Sequence, residues 1–128
     1  MFQQRTFSFR RAVASVAMIA LSFTAAFSFA QAKFPTGSYS NRQFTITFNE
    51  DGTHTVSADG AVAVKGGYTV ANDQIVLLDK EGQYACEGAP GKYRWKLEDK
   101  NLKFEKIEDD CDGRSGALNG QIWVKQTK

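Results

Sequence analysis

Turn residues recur along this chain at spacings too short for anything but a meander of β-strands. Asp51-Gly52, Asp59-Gly60, Asn72-Asp73, Glu81-Gly82 and Asp99-Lys100-Asn101 separate brief apolar runs. Gly and Asn tolerate the positive φ that two-residue hairpin turns need. Between these marks the residues alternate with period two. Phe44, Ile46 and Phe48 share one face against Thr45 and Thr47. Val62 and Val64 share a face, as do Tyr68 and Val70. Ile75 and Leu77 alternate against Val76 and Leu78, a strand apolar enough to be covered on both sides. Tyr93, Trp95 and Leu97 alternate with Lys92, Arg94 and Lys96, and Leu102 and Phe104 with Lys103 and Glu105. This is the pattern of half-buried strands.

The strands are expected at 37–40, 43–49, 53–57, 61–65, 67–71, 74–79, 82–86, 92–98, 101–107 and 121–125. Gly66-Gly67 reads either as a turn or as a bend within one long strand. The longest irregular stretch runs from Glu108 to Gly120, with room for one helical turn at Ser115 to Leu118. A small antiparallel up-and-down β-barrel of about eight to ten short strands is the first expectation, because closure removes exposed edges. An open sandwich is the second.

The first 32 residues read differently. Arg5, Arg10 and Arg11 precede an uncharged run from Ala12 to Ala30, which ends in Ala30-Gln31-Ala32. A basic start, an apolar stretch and small residues at the cleavage point are the marks of a signal peptide. Cleavage is expected after Ala32, or alternatively after Ala30, leaving one domain over 33–128 with no stable membrane span. An uncleaved anchor is the competing reading. Removing the leader changes the electrostatics. The whole chain has a formal charge of +2, but three of its sixteen basic residues lie in the leader and all fourteen acids follow it. The mature chain therefore carries thirteen Lys and Arg against fourteen Asp and Glu, a net of −1. Nothing in that balance attracts nucleic acid.

Cys86 and Cys111 are the only cysteines. In an exported protein this pair is expected to form one disulfide. Free thiols or a metal pair are the alternative, but the sequence offers no His and Cys partners to complete a metal site.

No residue pattern points to catalysis. His54 is the only histidine and shares the parity of Val56 on a strand. With no nucleophile motif beside it, it reads as a solvated or hydrogen-bonded strand residue. Glu108-Asp109-Asp110 and Asp112 surround Cys111 without the ligand spacing of an EF-hand loop, so they read as a solvated turn. Neither a cofactor nor a metal is expected. The aromatic residues are read first as core, with Phe44, Phe48, Trp95 and Phe104 filling the deeper half of the barrel. Val62, Val64 and Val70, with Tyr68, are the candidate ligand-binding residues near its mouth, since β-branched side chains leave room that aromatics would not.

Phe34-Pro35-Thr36-Gly37-Ser38-Tyr39 resembles the G-x-W opening strand of lipocalins and their calycin relatives, with Tyr in the Trp position. Asp110-Cys111-Asp112-Gly113-Arg114 sets an Arg shortly before the final strand, as lipocalins do. Together with Tyr93-Arg94-Trp95 and the Asp-Gly turns, these motifs are similar to small exported bacterial lipocalin-like barrels. The resemblance covers these short motifs and the strand meander. It implies that Arg114 packs over Tyr39 or Trp123 at the closed end, making Tyr39, Trp95, Arg114 and Trp123 structural residues.

The expected function is non-enzymatic binding, by a monomer in the periplasm or secreted. The first candidate partner is a small apolar molecule in the barrel. The alternative is a protein of the cell envelope, with the chain acting as an inhibitor or accessory module on a filled core.

Overall fold

The computed structural model describes residues 33–127; the expected signal peptide over residues 1–32 lies outside the described residues. Eight antiparallel strands close into a barrel in sequence order. They are β1 (Gly37–Ser40), β2 (Phe44–Phe48), β3 (Thr53–Ala58), β4 (Ala61–Ala71), β5 (Gln74–Glu81), β6 (Gly91–Glu98), β7 (Asn101–Glu108) and β8 (Ile122–Lys125). Closure comes from β8 pairing with β1, Tyr39 opposite Lys125 and Ser40 opposite Val124. One helix, α1 (Asp112–Leu118), lies between β7 and β8.

The hairpin turns follow from local chemistry. Asp59 and Gly60 both have positive φ, as do Asp99 and Lys100. A turn with two such residues has the twist that matches the strands it joins. Gly66-Gly67 does not break the chain: β4 runs through it as one long strand, and the bend is taken up by a register shift against β5 at Lys65/Gly66. Residues 82–86 are not a strand. Gly82 turns the chain at positive φ, and the segment to Gly91 becomes a loop tied to Cys111 by the Cys86–Cys111 disulfide.

The alternating residues sort as their parity dictates. Ile46, Phe48, Ile75, Leu77, Tyr93, Leu102, Phe104 and Trp123 point inward and are buried. The outer face of β5 is not covered, since Leu78 stays exposed. One end of the barrel is sealed by the chain before β1. Phe34 turns in and packs edge-on against Phe48 and Trp95, with centroids 5.0 and 5.2 Å apart, and tilted against Tyr68 at 5.6 Å. The opposite end carries the β1–β2 and β3–β4 turns, the 82–90 loop and α1.

Arg114 is not at the sealed end. The cation over Tyr39 is Lys125, whose Nζ lies 4.6 Å from the ring centroid and donates to Thr36 O at 2.7 Å. The reason is register: Lys125 sits directly opposite Tyr39 across the closing seam, whereas Arg114 belongs to the helix at the other end. Tyr39 donates its hydroxyl to Pro35 O, which holds the sealing segment in place.

Candidate binding site at the barrel mouth

The mouth holds a cavity of about 860 Å³. Its apolar wall comes from inward residues of β2 to β5 and β8, namely Phe44, Ile46, Val56, Val64, Leu77 and Trp123, with Leu118 contributed by α1. Its polar lining includes His54, Asp79 and Arg114. The structure thus moves Phe44 from the deep half of the barrel to the cavity wall. Phe48 and Phe104 are deep core, and Trp95 packs at the sealed end.

The polar residues form one connected network. Asp79 continues the inward series of Ile75 and Leu77 on β5. His54, 1% exposed, faces it from β3, with Nε2 3.4 Å from Asp79 Oδ1. Its Nδ1 lies 3.1 Å from Gly67 O, and since a carbonyl only accepts, Nδ1 donates. Asp79 Oδ2 accepts from the Cys86 N–H at 3.0 Å and lies 3.2 Å from Arg114 Nη1. Arg114 grips Asp109 as a fork, Nε to Oδ2 at 2.8 Å and Nη2 to Oδ1 at 2.7 Å, and Nη2 also donates to Ala89 O. Asp109 further accepts from the Tyr93 hydroxyl and, at 2.9 Å, from the Cys111 N–H. A bidentate guanidinium–carboxylate pair adds directional specificity to charge attraction.

Two glycines make room for this network. A Cβ at Gly66 would stand 2.7 Å from His54 Cε1, and one at Gly91 would stand 2.7 Å from both Arg114 Nε and Asp109 Oδ2. Both strands therefore pass closer to the polar cluster than any larger residue allows.

The environment sets the charge states. Burial pushes the Asp79 carboxyl up, but hydrogen bonds from His54 and the Cys86 N–H, with the charge of Arg114, outweigh it and hold the group below the usual carboxylate range. Asp109 is likewise held low: burial is overcome by the hydrogen bonds from Arg114, Tyr93 and Cys111. Tyr93 is pushed up by burial and by Asp109 beside it, so it stays a hydrogen-bond donor. Arg114 is raised by its carboxylates despite burial.

The four candidate ligand-binding residues do not share one surface. Val64 is buried and lines the cavity. Val62 is 53% exposed on the outside, because a register shift between Val56 and Ser57 pairs Val56 with Val64 but Ser57 with Val62, so Ala63 is an extra residue that breaks their shared parity. Val70 is 36% exposed near the tip of the β4–β5 hairpin, away from the mouth. Tyr68 packs at the sealed end against Phe48 and donates its hydroxyl to Asn49 O at 2.6 Å.

Sequence reasoning missed Asp79 and Asp109. Asp109 is buried rather than solvated, because Arg114 folds back onto it and the Cys86–Cys111 bond draws the neighbouring loop over the pair. The available signal for Asp79 was a carboxylate in phase with Ile75 and Leu77. Among the described residues, no group of three or more His, Cys, Asp and Glu is placed to hold a metal ion. No protein-family model, curated protein or solved structure matches the chain.

Proposed function

We propose that this chain is an exported, non-enzymatic binding protein that holds a small, mainly apolar molecule in the mouth of its barrel. The cavity of about 860 Å³ carries the reading. Small-molecule pockets generally run from about 300 to 1,000 Å³ and combine apolar walls with a few fixed polar groups. Ile46, Val56, Val64, Leu77 and Leu118 supply such walls, and the Arg114 network supplies the polar groups. His54 and Asp79 line the cavity with no Ser, Thr or Lys among its lining residues, and both cysteines there are bonded. That composition favours holding a molecule over attacking one.

Export accords with the leader and with the disulfide, which persists in oxidising compartments. Cleavage after Ala32 or Ala30 keeps Phe34, and with it the seal of the closed end. The protein-partner alternative would draw on exposed apolar side chains, but these are spread from β4 to β8, from Val62 and Leu78 to Ile122 and Val124.

The test is uptake of N-phenyl-1-naphthylamine, which fluoresces in apolar surroundings. Wild type is expected to bind it, and Val64→Phe to abolish binding while changing stability by less than about 1 kcal/mol, since the ring enters existing space. In a filled core the same substitution would overpack and cost about 1–3 kcal/mol. If wild type leaves the probe dark and Val64→Phe melts much earlier, the carrier reading fails and the partner reading replaces it.

A further inference from the structure

The charges that line the mouth cavity do not balance. Four Asp stand against two Arg, and His54 adds at most one positive charge. The surplus does not come from the buried clasp. There Asp79 is taken up by His54, Arg114 and the Cys86 N–H, and Asp109, behind the wall, by the Arg114 fork. With two carboxylates already on it, Arg114 has no positive charge to spare for a ligand. The surplus sits at the rim. Asp59 on the β3–β4 turn, Asp110 just before α1 and Asp112 in its first turn are all exposed and line the cavity. Arg42, on the β1–β2 turn, is the one other cation among the lining residues. Among the described residues, no ion pair engages any of the three rim carboxylates.

The rim also carries an aromatic ring in the open. Tyr84 lines the cavity and is 58% exposed. Its N–H donates to Ala63 O at 3.1 Å, and the Cys86–Cys111 bond ties down the loop that carries it. The face of such a ring attracts an ammonium group. The walls below are apolar, and a cleft with low-dielectric walls and one sign of charge at its opening focuses the field there. A ligand carboxylate or phosphate would meet like charge at this rim. The carboxylates are not gathered as metal ligands either, since no group of three or more His, Cys, Asp and Glu among the described residues is placed to hold an ion. A single positive charge on an apolar body fits both the rim and the space beneath it.

We propose that the cavity takes an apolar amine, its hydrocarbon body against the barrel walls and its one ammonium group at the rim among Asp59, Asp110, Asp112 and Tyr84. This rests on the binding-protein reading above and specifies the ligand class for the same site.

The experiment measures displacement of N-phenyl-1-naphthylamine, an uncharged probe at pH 7, from the full mature protein by octylamine, 1-octanol, octanoate and butylamine. Octylamine is protonated at that pH, as a lysine side chain is. It is expected to bind about five- to tenfold more tightly than octanol, the reach of a few partly exposed charge contacts, and octanoate more weakly than either. Butylamine, with the charge but little apolar body, is expected to bind far more weakly than octylamine. The lead of octylamine over octanol should shrink when salt rises from about 0.01 M to about 1 M, which shortens the screening length from about 30 to about 3 Å. Replacing the rim acids together, Asp59→Asn, Asp110→Asn and Asp112→Asn, should bring the octylamine-to-octanol ratio close to one. Asn suits position 59, where φ is 52°. The ratio is read rather than either affinity, so a general weakening of the variant does not count. Should the triple variant fail to fold, Arg42→Gln decides, because it should raise the ratio. Equal binding of octylamine and octanol, a ratio indifferent to salt or to the rim substitutions, tighter binding of octanoate, or butylamine equal to octylamine overturns the amine inference while the carrier reading stands. So does a bound probe that none of the four displaces. Failure of the four compounds and of the probe to bind at all overturns the carrier reading itself.

Discussion

At one end of the barrel Phe34 fills the opening with a ring packed edge-on against Phe48 and Trp95. At the other, Arg114 holds Asp109 through a two-point fork, reaches Ala89 O and approaches Asp79. Apolar packing is non-directional and fills volume, so the first end is solid. Charge-assisted hydrogen bonds fix positions without filling volume. The second end is accordingly held in shape around open space. The Cys86–Cys111 bond reinforces it by tying the 82–90 loop to the start of α1. The two ends should therefore respond to different perturbations. A solid plug tolerates side-chain changes of similar volume, whereas a buried ionic clasp does not tolerate loss of one partner.

Removing Asp109 is the strongest test of that contrast. Asp109→Ala leaves the buried Arg114 charge with only the misaligned Asp79 beside it, and strips the Tyr93 hydroxyl and the Cys111 N–H of their acceptor. Breaking a buried pair in this way typically costs about 3–5 kcal/mol. Phe34→Leu, a change of shape within an apolar plug, is expected to cost less than about 1.5 kcal/mol. Arg114→Lys should fall between them, because an ammonium keeps the charge but cannot form the fork. Urea unfolding midpoints of the three variants rank them. A Phe34→Leu loss equal to that of Asp109→Ala would erase the distinction between the ends.

The disulfide comes next. Its cysteines are 25 residues apart in sequence. Cys86→Ala should lower stability by about 2–4 kcal/mol, chiefly by freeing the unfolded chain. Hydrogen exchange locates the remainder of the effect. Amides of α1 and of residues 82–90 should lose protection beyond the global change, while those of β1 and β2 follow it. Uniform loss across the barrel would mean that the bond does not hold the mouth in particular.

Acid should loosen the same end. Asp79 and Asp109 are held below the ordinary carboxylate pKa in the folded chain, so the unfolded chain binds protons first as pH falls. Their contribution to stability is complete above the ordinary value, about 3.9, and is lost as pH falls through their lower folded values. Protection of α1 amides should drop in that window ahead of β1 and β2. The aromatic plug itself holds no carboxylate, and Asp51 and Glu98, the lowered carboxylates in the turns at that end, are fully exposed, so simultaneous loss at both ends would refute the assignment.

The strand interior was more legible in the sequence than the clasp at the mouth, for a physical reason. Strand parity places Ile46, Phe48, Leu102 and Phe104 inward without knowledge of any partner, and the turn residues locate the hairpins. The clasp depends on contacts between residues far apart in the chain, such as His54 with Asp79, Asp79 with Arg114 and Tyr93 with Asp109. No local rule pairs them. His54 was readable as inward-facing from its phase with Val56, yet its partner sits 25 residues later on another strand. The outward turn of Val62 was hidden because a bulge adds one residue without a compositional mark. The motif resemblance put Arg114 over Tyr39, but the cation there is Lys125, which sits directly opposite Tyr39 across the closing seam.

That exchange sets the smallest and most local prediction. Lys125 sits opposite Tyr39, places its ammonium 4.6 Å from the ring centroid and hydrogen-bonds Thr36 O. Lys125→Met keeps a flexible apolar stem at this position and removes both the charge and the donor. A partly exposed cation–π contact contributes about 0.5–1 kcal/mol, and a hydrogen bond to a carbonyl a similar amount net. The expected loss is therefore about 1 kcal/mol, read as a small fall in melting temperature. Probe binding at the mouth should be unchanged, because the contact lies at the far end of the barrel. Lys125→Arg should recover most of the loss, since a guanidinium can also stack on the Tyr39 ring and reach the carbonyl. A Lys125→Met variant that loses probe binding without losing stability would show that the two ends communicate through β8, whose Trp123 faces the cavity two residues before Lys125. The separation of a solid end from an open one would then have to be replaced by a single coupled barrel.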